Sequence, residues 1–301
     1  MLIFKYILQT SISKVNLNNM NENPFRLGSS KVDWCEPNYV VSEYIAEFWN
    51  TVSNIFFFLV PPLMISLFRS YSKRVANGIA ILWILLIIIG FGSVYFHATL
   101  SLVGQLIDEI SILWVLTIGY ALFLPESYLP QSFRVQRHRF VYACIIFALV
   151  ITCLSIVHPY ANAFALMMLG LPSTGFIIRH ILRCDNSRVK TLGVHCFIIW
   201  ITAFIVWICD RMFCSYWLSI SFPYLHALWH VLVLFSSNEG IVICCYLTVK
   251  HQNPQANLHL YFWPNEQWKW FSIPYLKFHD DDDNDNFSIS SSNNLSTKFY
   301  V

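Results

Sequence analysis

GSVYFHATLSLVGQLIDE, residues Gly92 to Glu109, lies where hydropathy predicts membrane, yet it holds a serine, a histidine and two carboxylates. Polar and ionisable groups are costly inside a bilayer, so by default they mark function there. Ser93 and His97 stand at i and i+4 and share one face of a helix. His226 and His230, in HALWH, repeat that spacing in another apolar segment. Three histidines on two helices suggest a metal site, provided the chain brings the two helices together.

The composition favours the membrane reading. Of 301 residues, 56% are hydrophobic and 12% are charged, against about 25% charged in soluble domains. The fold class expected is an all-α integral membrane protein. The net charge of +2 gives no reason to expect a nucleic-acid partner. There is no CxxC motif of the zinc-finger type. Cys144, Cys153, Cys196, Cys209, Cys244 and Cys245 fall in or beside apolar segments and read as small core residues. Cys184 is in a basic loop, whereas Cys35 and Cys214 lie in polar stretches outside the helices.

Seven apolar runs are expected to span, at about 45–68, 78–98, 105–124, 139–158, 160–179, 192–210 and 222–248, each near the roughly 20 residues a spanning helix needs. Pro61-Pro62 is expected to kink the first, and Pro159 to separate the fourth from the fifth. The odd-numbered loops carry Arg69, Lys73, Arg74, then Arg134, Arg137, Arg139, then Arg179, Arg183, Arg188, Lys190; the even loops carry only Arg211. The excess of basic residues places the odd loops in the cytosol. The N-terminus is then lumenal or extracellular and the C-terminus cytosolic.

Three regions follow: a polar extension at 1–32, a seven-helix membrane domain at 33–249, and a polar cytosolic tail at 250–301. The N-terminal apolar run is broken by Lys5 and is a poor match to a cleaved signal peptide. FHDDDDNDNFSISSSNNLSTK is acidic and rich in Ser and Asn, and is expected to be disordered. The sequons at Asn286 and Asn294 would stay unmodified on a cytosolic tail.

This topology gathers the polar residues. The second helix rises toward the lumen and ends near His97, a short turn follows, and Asp108 starts the next helix. The seventh helix enters from the same side with His226 and His230. All share one depth. Zinc suits three neutral imidazoles with an open fourth position, and lowers the pKa of water enough to make a nucleophile. Asp108 is the candidate proton acceptor, and Ser93 the candidate donor to an oxyanion. The bland alternatives are interhelical packing for Ser93, a ligand-orienting role for Asp108 and an N-terminal cap for Glu109.

Asp33, Trp34, Glu36, Asn38 and Glu47 form a second cluster ahead of the first helix. Carboxylate, amide and backbone oxygens together suit calcium. A polar lead-in with Glu47 serving the helix dipole explains the same residues equally well.

Taken in order, DWCEPN…AEFWNTVSN (33–54), GSVYFHATL…QLIDE (92–109), CDRMFC (209–214) and HALWH (226–230) resemble the alkaline ceramidases, seven-helix intramembrane amidases. The resemblance implies hydrolysis of ceramide to sphingosine and a fatty acid, with the bilayer and the lipid substrate as partners. It implies zinc on His97, His226 and His230, an oxyanion role for Ser93 and water activation by Asp108. It also implies calcium held by Asp33, the Trp34 carbonyl, Glu36, Asn38 and Glu47, and a disulfide between Cys35 and Cys214. The competing expectations are a seven-helix lipid receptor using zinc structurally, and a hydrolase of another membrane lipid. The membrane expected is endoplasmic reticulum or Golgi, with the plasma membrane as the alternative.

Overall fold

Two residues, Leu100 and Ser101, turn the chain between its second and third spans. Leu100 adopts a left-handed conformation (φ 49°) that ends one helix. The Ser101 hydroxyl accepts from Gly104 N and caps the next. The turn is thus shorter than expected, and the third span starts earlier, at Leu102. In this computed structural model, residues 23–158, 160–266 and 272–278 are described. Pro159, the first 22 residues and the acidic tail from 279 fall outside them, together with the expectations made there.

Seven helices are long and apolar enough to cross a membrane: α1 (Phe48–Leu67), α2 (Ala80–Thr99), α3 (Leu102–Phe123), α4 (Arg137–Val157), α5 (Ala161–Arg183), α6 (Ser187–Met212) and α7 (Leu225–Gln252). The chain is a multi-pass, all-α membrane protein. Pro61 and Pro62 lie within continuous helix, and the irregularity of α1 is instead a 3-10 turn at Ser53–Ile55. Half of α2 and of α7 is buried, but only 11% of α4 and of α5. The first pair is therefore central, and the second pair faces outward.

The two halves of the bundle differ in chemistry. Where α1 and α2 meet α7, far from the Leu100 turn, the interior is mainly apolar: Met64, Phe68, Trp83, Leu234 and Ile243 are buried together, with Asn238 of α7 accepting from Trp83 Nε1 at 3.1 Å. Toward the turn the buried residues are Glu47, Asn50, Asn54, Ser93, His97, Asp210, His226 and His230. Small residues fix the α2–α3 register in that half. A Cβ on Gly92 would come within 2.9 Å of Asp108 N, and one on Gly104 within 2.7 Å of Phe96 Cα. Glycine at both points lets the two backbones touch.

The stretch after 250 departs from the expected polar tail. β1 (Leu258–Trp263) and β2 (Ile273–Phe278) pair antiparallel, with Leu260 opposite Leu276. Leu258, Leu260, Phe262, Ile273 and Leu276 join the apolar core, so the hairpin closes that end of the bundle. Truncating a buried leucine such as Leu276 to alanine costs about 2–5 kcal/mol. Arg74 stacks over Phe278 and Arg188 over Phe262, tying the strands to the ends of α1 and α6.

Candidate metal centre

The segment before α1 is laid onto the end of α2 by backbone hydrogen bonds. Ala46 N donates to Ala98 O and Glu47 N to His97 O, both at 3.0 Å, while Ser30 N donates to Leu100 O at 2.8 Å. These bonds satisfy carbonyls that a helix C-terminus leaves without partners. They also put the Glu47 side chain beside His97, and His97 Nδ1 pairs with Glu47 Oε2. The other Glu47 oxygen accepts from Trp34 N at 2.9 Å.

His97, His226 and His230 are all buried, and one ring nitrogen from each lies within 4.8 Å of the others. Ser53 sets the tautomer of His230. Its hydroxyl donates to Asn50 O at 2.9 Å, so at 2.8 Å it accepts from His230 Nδ1–H. His230 Nε2 then presents a lone pair, with Ser93 Oγ 3.4 Å away. His97 Nδ1 is likewise held, by Glu47, which leaves Nε2 free. His97 Nε2 and His226 Nδ1 are buried without a hydrogen-bond partner among the described residues. With the Nδ1 groups of His97 and His230 committed to Glu47 and Ser53, their remaining nitrogens meet as lone pairs, and orphaned buried polar atoms are costly. A cation shared by the three resolves that cost, so these residues fit a metal ion.

His226 is placed by two contacts. Its ring stacks on Trp34 with centroids 3.5 Å apart, and its backbone N donates to Asp210 Oδ1 at 3.2 Å. The other Asp210 oxygen accepts from Cys35 N at 3.2 Å. Asp210 therefore ties the N-terminal segment to the start of α7. A disulfide between Cys35 and Cys214, with Cα atoms 5.3 Å apart, fastens the same segment to the turn after α6. Arg211 lies over the Trp34 ring at 4.8 Å and donates to Asp33 O at 2.7 Å.

The second cluster is brought into the same neighbourhood. Asn38 Nδ2 donates to both Asp33 oxygens, at 3.1 and 3.2 Å, and Asn38 Oδ1 is buried without a partner. Glu36 accepts from Trp49 N and Asn50 N at 2.7 and 2.8 Å. Glu36 thus caps α1 from a distance, while Glu47, at the N-cap position, makes no side-chain cap bond. A carboxylate has about four lone-pair sites, so Glu36 keeps free ones, whereas Glu47, which also accepts from Asn50 Nδ2 at 3.1 Å, is close to filled. Burial pushes both carboxyls above the usual range; the amides at Glu36, and Trp34 N at Glu47, pull the other way.

Asp108 packs its backbone against Gly92, next to Ser93. Glu109 caps nothing: Ser101 fills that role, and Glu109 accepts from Gln105 Nε2 at 2.8 Å two turns into α3. Sequence reading missed Ser53 and Asp210. A serine in NTVSN and an aspartate in CDRMFC, both at the ends of apolar spans, were the available signals.

A family model described as Ceramidase matches residues 26–277, hairpin included. The chain is 42% identical over 251 residues to a Drosophila melanogaster protein named alkaline ceramidase, covering 83% of this chain and 88% of that one. It is 38% identical to human alkaline ceramidase 1, over 86% of this chain and 97% of that one. Mouse alkaline ceramidase 3 is more distant, at 26% identity over 78% and 91%. Together these matches show that the chain belongs to the ceramidase family.

Proposed function

We propose that this chain hydrolyses the amide bond of ceramide to sphingosine and a free fatty acid within the membrane, in sphingolipid metabolism, with zinc on His97, His226 and His230. One observation carries the reading: three buried imidazoles converge, two of them with an unsatisfied nitrogen, beside a serine hydroxyl. A zinc ion held there would act as a Lewis acid on the amide carbonyl and lower the pKa of water in the site.

The chain's own residues do the rest. Glu47 and Ser53 fix the ring orientation of His97 and His230. Ser93 Oγ donates to the carbonyl oxygen as negative charge builds on it. Asp108 takes the proton of the attacking water and passes it to the departing amine nitrogen. The water's oxygen stays on the acyl carbon, which leaves as the fatty acid. Burial of the site excludes other water and strengthens each of these contacts.

Calcium is the ion we assign to Asp33, the Trp34 carbonyl, Glu36, Asn38 and Glu47. The unpartnered Asn38 Oδ1 and the free acceptor sites of Glu36 support it. Calcium does no chemistry here; it fixes the segment that carries Trp34 and Glu47 against the metal centre. The basic-loop count puts this end of the bundle on the lumenal or exterior side, in endoplasmic reticulum, Golgi or plasma membrane. The domain reading is extended to include the hairpin: a membrane domain from about 33 to 278, flanked by polar ends.

The test is release of fatty acid from ceramide by the purified protein and by His226→Ala. Loss of turnover in a folded variant is expected. Full activity of His226→Ala would rule the zinc assignment out.

A further inference from the structure

We infer that Glu109 and Asn162 select the substrate by accepting hydrogen bonds from its polar head, a role that rests on the ceramide-hydrolase reading above. Glu109 lies on α3, one residue beyond Asp108, whose backbone touches Gly92 beside Ser93. In that antiparallel register Glu109 sits about 3 Å further along the axis than the level of Ser93. A carboxylate at this depth in an apolar span is a functional candidate by default.

Its surroundings point to a ligand. Gln105 Nε2 takes one Glu109 oxygen at 2.8 Å, and Gln105 is itself held through Oε1 by the Ser30 hydroxyl at 2.8 Å. The carboxylate keeps further acceptor sites. Across from it, Asn162 at the start of α5 donates Nδ2 to Glu109 O at 3.1 Å. Asn162 is 2% exposed, and its Oδ1 has no hydrogen-bond partner among the described residues. Between α3 and α5 the protein therefore presents one buried acceptor without a donor, Asn162 Oδ1, beside a carboxylate with acceptor sites to spare.

Ceramide supplies donors. The carbon bearing its amide nitrogen is flanked by two carbons carrying hydroxyls, within a few bonds of the carbonyl that Ser93 would contact. A fully esterified glycerolipid presents acceptors alone, leaves Asn162 Oδ1 unsatisfied and sets its own oxygens against the Glu109 carboxyl. A site built to bind a hydroxyl rejects the analogue that lacks it far more strongly than an apolar pocket rejects a missing methylene. The cluster thus favours N-acyl amino alcohols over glycerolipid esters.

The experiment measures kcat/KM for ceramide and for its 1-deoxy and 3-deoxy analogues of matched acyl chain, with wild type, Glu109→Leu, Glu109→Gln and Asn162→Ala. Wild type is expected to prefer ceramide over at least one analogue by roughly 5- to 150-fold, the range for leaving a buried acceptor without its donor. Glu109→Leu and Asn162→Ala should lose activity on ceramide but not on that analogue, so the ratio falls toward one. Glu109→Gln, which keeps an acceptor, should retain part of the preference. Equal cleavage of all three substrates by wild type overturns the inference, whether or not the variants fold. So does a folded variant that slows every substrate equally. Wild type that cuts none of them overturns the hydrolase reading as well.

Discussion

Replacing Ser53 by alanine probes how the metal centre is held without touching a ligand. Ser53 Oγ accepts from His230 Nδ1 at 2.8 Å while donating to Asn50 O at 2.9 Å. Its loss frees the His230 ring to rotate or to change tautomer, either of which turns a proton toward the centre. Removing the group that orients a metal-binding histidine typically costs 10–100-fold in metal affinity, about 1.4–2.8 kcal/mol. The assay is a chelator competition followed by metal content, on wild type, Ser53→Ala and Ser53→Thr. Ser53→Ala should weaken binding by that factor and Ser53→Thr, which keeps the hydroxyl, should recover most of it. Unchanged affinity in a folded Ser53→Ala protein would refute the reasoning, because His230 would then need no acceptor at Nδ1.

Three further outcomes are expected. Ser93→Ala should lower kcat about 10²–10³-fold with metal content and melting temperature unchanged, since the loss of one oxyanion donor has that size; parallel loss of metal would instead make Ser93 a structural residue. Asp210→Asn turns an amide NH₂ toward Cys35 N or His226 N, and should cost about 1.5–3 kcal/mol in chemical unfolding; an unaltered midpoint would contradict the anchoring role. Burial raises the Glu36 and Glu47 carboxyls, so the ion-free fold binds protons more tightly than the unfolded chain and loses stability as pH rises. Calcium needs those groups charged, so its upward shift of the melting temperature should grow from about pH 5 to pH 9, and a flat or shrinking shift would count against the calcium site.

Much of this was legible in the sequence because membrane topology is written in long-range averages. Hydropathy over 20-residue windows gives seven spans, and two histidines at i and i+4 gain meaning once alternating spans bring His97 to the same end. What the averages hide is short or rotational. LHLYFW alternates with period two and IPYLKF does not, and six-residue pieces vanish among the polar residues between them, so the hairpin is not legible in the sequence. Which way a serine faces around a helix depends on packing, so neither Ser53 against His230 nor Asp210 against His226 N could be read from spacing. The cap alternative for Glu109 fits only a helix that starts near 105; α3 starts at Leu102, and Ser101 holds the cap position. The Cys35–Cys214 pairing came from resemblance to a family, since nine cysteines allow many pairings and spacing selects none of them.

The account turns on whether the three imidazoles hold zinc. The most direct measurement is elemental analysis of the protein purified without added metal, run beside His97→Ala and His226→Ala with their folding checked by tryptophan fluorescence. About one zinc per chain is predicted for wild type, falling to near zero in both variants along with fatty acid release. Wild type that cleaves ceramide with no zinc bound, or variants that keep full zinc content, would contradict it.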